Sequence, residues 1–258
     1  MNQVEFTHNE IQESIFSGVL KSNLLSVLNN EFFSHIRKEK ISFEGYTFFV
    51  KEKYSAIGYF INLLENAEHL SENISHDLAE VFHSNRLDEL GYFAGTINHE
   101  YRHETWRLRT LESFGVYQTD LIGLQLDSSK KHEEIMVNLS KSHDAFEVIG
   151  ALLFLELFVV YEMKNLIAAF ERDLPELFPK DGYSYDRFPF NPQEYWYGHA
   201  LHDTWHFRAI EEVVLACMGN QDQAESNLKS LFSGIEKVAE AKSALYSREL
   251  FEKMKSFK

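Results

Sequence analysis

The stretch Val148-Ile-Gly-Ala-Leu-Leu-Phe-Leu-Glu-Leu-Phe-Val-Val-Tyr161 is an unbroken apolar run with one acid, Glu156, inside it. At roughly 1.5 Å of rise per residue it is too short to cross a bilayer, and its carboxylate opposes the crossing further. It predicts a helix buried in a protein core. An ionised carboxylate there costs several kcal/mol unless a cation such as an arginine or a metal ion stands beside it. Glu162, just past the run and close to Lys164, is expected to reach solvent.

Outward from this run, apolar residues recur at three- and four-residue steps, as in Phe16, Val19, Leu20, Leu24, Val27 and Leu28. No alternating pattern argues for a strand. The spacing predicts helices over 9–28, 45–68, 75–114 with a break, 130–172, 193–218 and 221–256. Gly115 and Gly219 stand where left-handed caps would end two of them. All four prolines (Pro175, Pro179, Pro189, Pro192) fall in one window, which predicts a long connection at 173–193, of the kind that often walls a pocket. The reading is one all-α domain over residues 1–258.

Composition excludes several classes. With 40 acidic against 25 basic residues the net charge is -15, which makes nucleic-acid backbones and anionic membranes poor partners. Met1–Glu10 has neither the basic start nor the apolar core of a signal peptide, and Cys217 is the only cysteine. A reducing cytoplasm is the expected compartment.

Three windows carry chemistry. In Tyr197-Gly-His-Ala-Leu-His-Asp-Thr-Trp-His206, a helix at about 100° per residue puts His199, Asp203 and His206 on one narrow stripe. His202 falls on the edge of that stripe, placed to support ligands, and Trp205 points away. Glu156 is the second feature. The third runs from Asn85-Arg-Leu-Asp-Glu-Leu-Gly91 to Ile97-Asn-His-Glu-Tyr-Arg-His-Glu104. Glu100 and His103, at i and i+3, form an E-x-x-H pair able to share an ion. Glu89 and His103 would lie roughly 21 Å apart on an unbroken helix, so they meet only if Gly91 and Gly95 mark a break; Glu89 with His99 needs a distortion too. Three windows thus offer imidazoles and carboxylates without a thiolate, a donor set suited to non-haem iron or manganese.

Asn85-Arg-Leu-Asp-Glu-Leu-Gly91, Gly150-Ala-Leu-Leu-Phe-Leu-Glu156 and the His199, Asp203, His206 triplet resemble the haem-oxygenase-like di-iron oxidases, relatives of bundles in pyrroloquinoline quinone synthesis and thiamin salvage. The resemblance implies a haem-oxygenase-like helical bundle that binds two non-haem iron ions (Fe2+) and uses O2 as co-substrate. It implies His199, Asp203, His206 and Glu156 as ligands. For the first core helix it leaves Glu89 against Glu100 and His103 against His99 open. The E-x-x-H form resembles the bacterial fatty-acid decarboxylase that makes 1-undecene. The resemblance also implies a small-molecule substrate, an amino acid or amine first and a fatty acid undergoing oxidative decarboxylation second. It leaves room for an external electron donor and a homodimer. Two competing readings are a haem oxygenase, with His8 or His35 as axial ligand, and a non-catalytic small-molecule-binding bundle.

Overall fold

The apolar run lies within a 29-residue helix, α8 (Ala145–Asp173), in which every residue from Val148 to Glu156 is buried. Asp144 caps its start by accepting a hydrogen bond from the Glu147 amide at 3.2 Å, and Pro175 follows its end, where no helix can continue. The computed structural model describes residues 8–55, 59–93, 95–121, 123–179, 193–218 and 221–257.

A stretch of helix buried on all faces must be covered on all faces. The largest covers are α10 (Gln221–Leu245) and α9 (Glu194–Val214), on which α8 makes its main packing. Backbones of α8 and α10 touch at Gly150 and Gly234. A Cβ on Gly150 would overlap the Leu231 carbonyl, and one on Gly234 would overlap the Glu147 carbonyl. Further cover comes from α1 (His8–Leu28), α4 (Phe60–Ser71) and α7 (Asp127–Leu139). Two more helices, α5 (His76–Glu89) and α6 (His103–Ser113), lean on α9. At the opposite end α11 (Arg248–Lys255) packs on α2 (Glu31–Ile36) and α3 (Phe43–Ser55). One contiguous apolar cluster joins these helices, from Phe16 to Met254.

The class is all-α, and the spacing placed the long helices but missed α2 and several ends. The span 130–172 divides into α7 and α8 at Ser140–Asp144, and 221–256 divides where the Ser247 hydroxyl accepts from the Leu250 amide at 3.2 Å to start α11. The span 45–68 holds α3 and α4. Contrary to expectation there is a strand pair, β1 (Tyr92–Phe93) and β2 (Thr96–Ile97), antiparallel and two residues each, too short for any periodicity to register. Gly115 follows α6 at φ 69°, as a left-handed cap requires. Gly219, Pro189, Pro192 and most of the 173–193 connection lie outside the described residues. Among the described residues no helix is long and apolar enough to cross a membrane.

Because the α8–α10 contact has no room for a methyl group, Gly150→Ala is expected to cost about 1–3 kcal/mol through overpacking. Urea unfolding followed by circular dichroism measures it; an unchanged midpoint would show that the helices can move apart freely.

Candidate metal centre

Two groups of three metal-binding side chains lie buried side by side: Glu89, His103 and His199, and Glu156, Asp203 and His206. Within each group one donor atom per residue falls within 4.8 Å of the others. The α9 stripe carries His199, Asp203 and His206, α8 carries Glu156, and α5 and α6 supply Glu89 and His103.

The last pair meets through a detour in the chain. Glu89 ends α5, and Gly91 turns the chain at φ 77°, where a Cβ would meet the Asn98 carbonyl oxygen at 2.5 Å. The strand pair β1–β2 carries the chain out and back, and the Asn98 amide closes the excursion on the Gly91 carbonyl at 2.8 Å. The Asn98 side chain then caps a single helical turn, His99–Tyr101, by accepting from the Glu100 amide at 2.9 Å. His103 therefore opens α6 beside the end of α5, with Nδ1 2.7 Å from Glu89 Oε1. The turn leaves the alternative residues outside: His99 is exposed, and Glu100 pairs with Arg109. Their place in the candidate ligand set is corrected, since the E-x-x-H spacing falls across a helix boundary and not along one helix.

Two of the three histidines have a donating nitrogen assigned by a partner. His199 Nδ1 lies 2.6 Å from the Tyr195 carbonyl, which can only accept, so Nδ1 donates and Nε2 is free for the site. His206 Nε2 donates to Asp88 Oδ2 at 3.0 Å, which turns Nδ1 toward Glu156 at 3.5 Å. Asp88 also stands 4.0 Å from His103 Nε2. This half-exposed carboxylate was not singled out in the sequence; its signal was the adjacent acid pair Asp88-Glu89 at a helix end. His202 stays partly exposed between Trp106 and Trp205, with ring centroids 6.4 and 5.7 Å away. Trp106 stacks on the His103 ring, and Trp205 faces solvent.

Two carboxylate oxygens here, Glu156 Oε1 and Asp203 Oδ1, are buried without a hydrogen-bond partner, and His206 Nδ1 has only Glu156 at 3.5 Å. Buried polar atoms are rarely left so, and all three belong to one of the three-residue groups. Charge adds to the case. Burial and the neighbouring carboxylates Glu156 and Glu89 hold the Asp203 carboxyl well above the usual range, and burial raises Glu156 as well. Burial opposes a charge on His206, yet Glu156 and Asp88 outweigh it and carry its pKa up to about 12. The cluster therefore holds extra protons where cations would serve. Burial and the nearby His103 push His199 well below its ordinary value, keeping a neutral imidazole ready to ligate. Two divalent ions would balance the carboxylates of Glu89, Glu156, Asp203 and Asp88. The residues fit a pair of metal ions held by nitrogen and oxygen.

The other histidine proposed from sequence as a haem ligand lies elsewhere. His35 pairs with Glu39 and stacks on Phe251; the His8 side chain lies outside the described residues. Glu162 does not reach solvent as expected. It is fully buried, ion-paired with Lys53 and 3.9 Å from Lys242.

A domain of unknown function with a heme oxygenase-like fold from Shewanella denitrificans OS217 superposes with a TM-score of 0.68 at 13% identity, over 95% of this chain and 94% of that one. The fold is haem-oxygenase-like. A CADD-like protein of unknown function from Nostoc punctiforme PCC 73102 matches as well, with a TM-score of 0.69 at 15% identity over 94% and 98% of the two chains. A second structure of that protein gives 0.67 at 15% identity, over 96% and 97%. No family model matches the sequence, and no curated protein matches it. At these identities the likeness extends to the haem-oxygenase-like fold alone.

Because Asp203, Glu156 and His206 bind protons more tightly than free side chains do, an incoming ion must displace protons. Lower pH strengthens that competition, so affinity for iron(II) is expected to fall from about pH 8 to about pH 6. Calorimetry in two buffers of different ionisation enthalpy reads the released protons; a heat independent of buffer would contradict the assignment.

Proposed function

We propose that this chain is a non-haem di-iron oxidase or oxygenase that uses O2 on a small organic substrate, with Glu89, His103 and His199 on one ion and Glu156, Asp203 and His206 on the other. The observation that carries this reading is the pair of buried three-residue groups, in which Glu156 Oε1 and Asp203 Oδ1 have no hydrogen-bond partner and His103 and His206 each face a carboxylate. Nitrogen and oxygen donors without thiolate favour iron, with manganese as the competitor.

Bound as Fe2+, the pair would supply electrons and open coordination positions for dioxygen. The chain's own residues do the rest. Asp88 fixes the His206 ring and the Tyr195 carbonyl fixes the His199 ring, so each presents one nitrogen inward. A cavity of about 370 Å³ opens on Glu89, His103, Glu156, His199 and Asp203, within the range of small-molecule sites. Its apolar wall, including Leu155, Val159 and Met163, keeps the space beside these ligands poor in water. The substrate class is an amino acid or amine, with a fatty acid as the second choice; an external electron donor returns the metals to the ferrous state. A cytoplasmic enzyme, free or as a homodimer, fits this chemistry.

Anaerobic iron(II) loading followed by metal analysis is expected to give two ions per chain and a transient visible absorbance on adding O2. Glu89→Gln should lower the content toward one ion, whereas Glu100→Gln and His99→Ala should leave it unchanged. A combined His206→Ala and Asp203→Ala variant should lose the other ion. Full iron loading in that double variant would refute the assignment, and no iron uptake by the wild type would leave a non-catalytic binding bundle.

A further inference from the structure

The cavity that opens on the candidate metal centre has a second, differently charged end. There α3, α8 and α10 bring Lys53, Glu162 and Lys242 together, all buried and all lining the same space. Glu162 is ion-paired with Lys53, whose Nζ also donates to Tyr246 Oη at 3.3 Å and sits 5.6 Å from the Trp196 ring centre. The Lys242 ammonium has Glu162 at 3.9 Å and the Phe158 ring centre at 5.6 Å. Two lysines therefore share one carboxylate, and with both protonated this end of the cavity is short of one negative charge. His132, hydrogen-bonded to Tyr59 at 3.1 Å, does not alter that count, since burial and Lys242 hold it neutral.

An uncompensated charge away from water costs several kcal/mol, and burying one pair of ions already taxes the fold. Burial and the neighbouring Lys242 accordingly pull the Lys53 pKa well down, with Asp203 opposing them, so Lys53 keeps its full charge only when a second anion joins Glu162. A stretch kept in that condition needs another reason to exist, and the shape of the cavity supplies one. Glu156 and Glu162 stand six residues apart on α8, about 9 Å along its axis, with Val159 between them and Leu155 and Met163 on the same arc. A cationic end, an apolar wall and the metal ligands thus follow one another along a single helix.

We propose that the cavity takes a substrate bearing a carboxylate, anchored between Lys53 and Lys242, with its apolar chain along Leu155, Val159 and Met163 toward the metal centre. This rests on the di-iron reading only for the chemistry that follows binding. A monoanion fits the charge count: one carboxylate beside Glu162 balances the two ammonium groups, whereas a phosphate dianion would overshoot. A simple amine would meet like charge at the anchor, so within the substrate classes proposed above this end of the cavity favours an amino acid or a fatty acid over an amine that lacks a carboxylate.

The test measures binding of straight-chain monocarboxylates from butanoate to decanoate, each against its primary amide, by anaerobic calorimetry on iron(II)-loaded protein. At least one acid is expected to bind about tenfold or more tightly than its amide. Lys242→Met should erase that preference while amide binding and iron content stay unchanged. Glu162→Gln, which removes the competing carboxylate, should strengthen acid binding; a purely structural ion cluster predicts only a less stable protein. No preference for any acid, or a preference that survives in a folded Lys242→Met variant, overturns the proposal. A preference that disappears when iron is withheld puts the carboxylate on the metals and overturns it too. Failure of iron uptake with the preference intact would sink the oxidase reading and leave the carboxylate site standing.

Discussion

Carboxylates forced into the core are the constraint from which the site's organisation follows. α8 is buried on every face from Val148 to Glu156 and exposes only a narrow stripe beyond it, yet it carries the buried acids Glu156 and Glu162, and neither can remain ionised in an apolar surround without a partner. The fold answers twice. At Glu156 it gathers more acids, Glu89 and Asp203, with imidazoles between them, an arrangement that bound cations would stabilise. At Glu162 it supplies the cations itself, as Lys53 and Lys242. The approach of α10 to α8 at Gly150 and Gly234 fixes the second answer, because α10 carries Lys242.

The two ends also differ in what they demand of the chain. Metal ligands must converge on a point within a few tenths of an ångström, and two of the three imidazoles are held by a second partner: Tyr195 for His199, Asp88 for His206. Ammonium groups act over longer distances and tolerate looser placement, and the lysines pair with Glu162 and stand over aromatic rings, Trp196 and Phe158. A rigid end and a looser end in one cavity suit a small molecule that must be placed accurately only where it reacts.

Sequence periodicity was sufficient where the geometry is that of one helix. His199, Asp203 and His206 share a stripe because α9 is continuous through them, and Glu156 announced itself as a lone acid in an oily helix. It failed where placement depends on the path between helices. Glu89 and His103 come within hydrogen-bond distance only because Gly91 at φ 77° and a two-residue strand pair return the chain to its starting point. Neither period three and a half nor period two can register so short an excursion. The E-x-x-H spacing of Glu100 and His103 was misleading for the same reason, since a helix begins between them.

Glu162 shows the complementary failure. Its local surroundings, Glu-Met-Lys, read as a helix end turning to water, but burial is a property of what packs on a residue, and its partners come from α3 and α10. No window around residue 162 contains Lys53 or Lys242. The consequence reaches function, because the residue that local context assigns to solvent marks the far wall of the cavity opening on Glu156. A buried acid held by two lysines from distant helices is expensive to assemble, and a core made only for stability would have replaced the trio with apolar side chains of equal volume. That the chain keeps it in the wall of the cavity opening on the candidate metal centre ties this end of the cavity to ligand recognition.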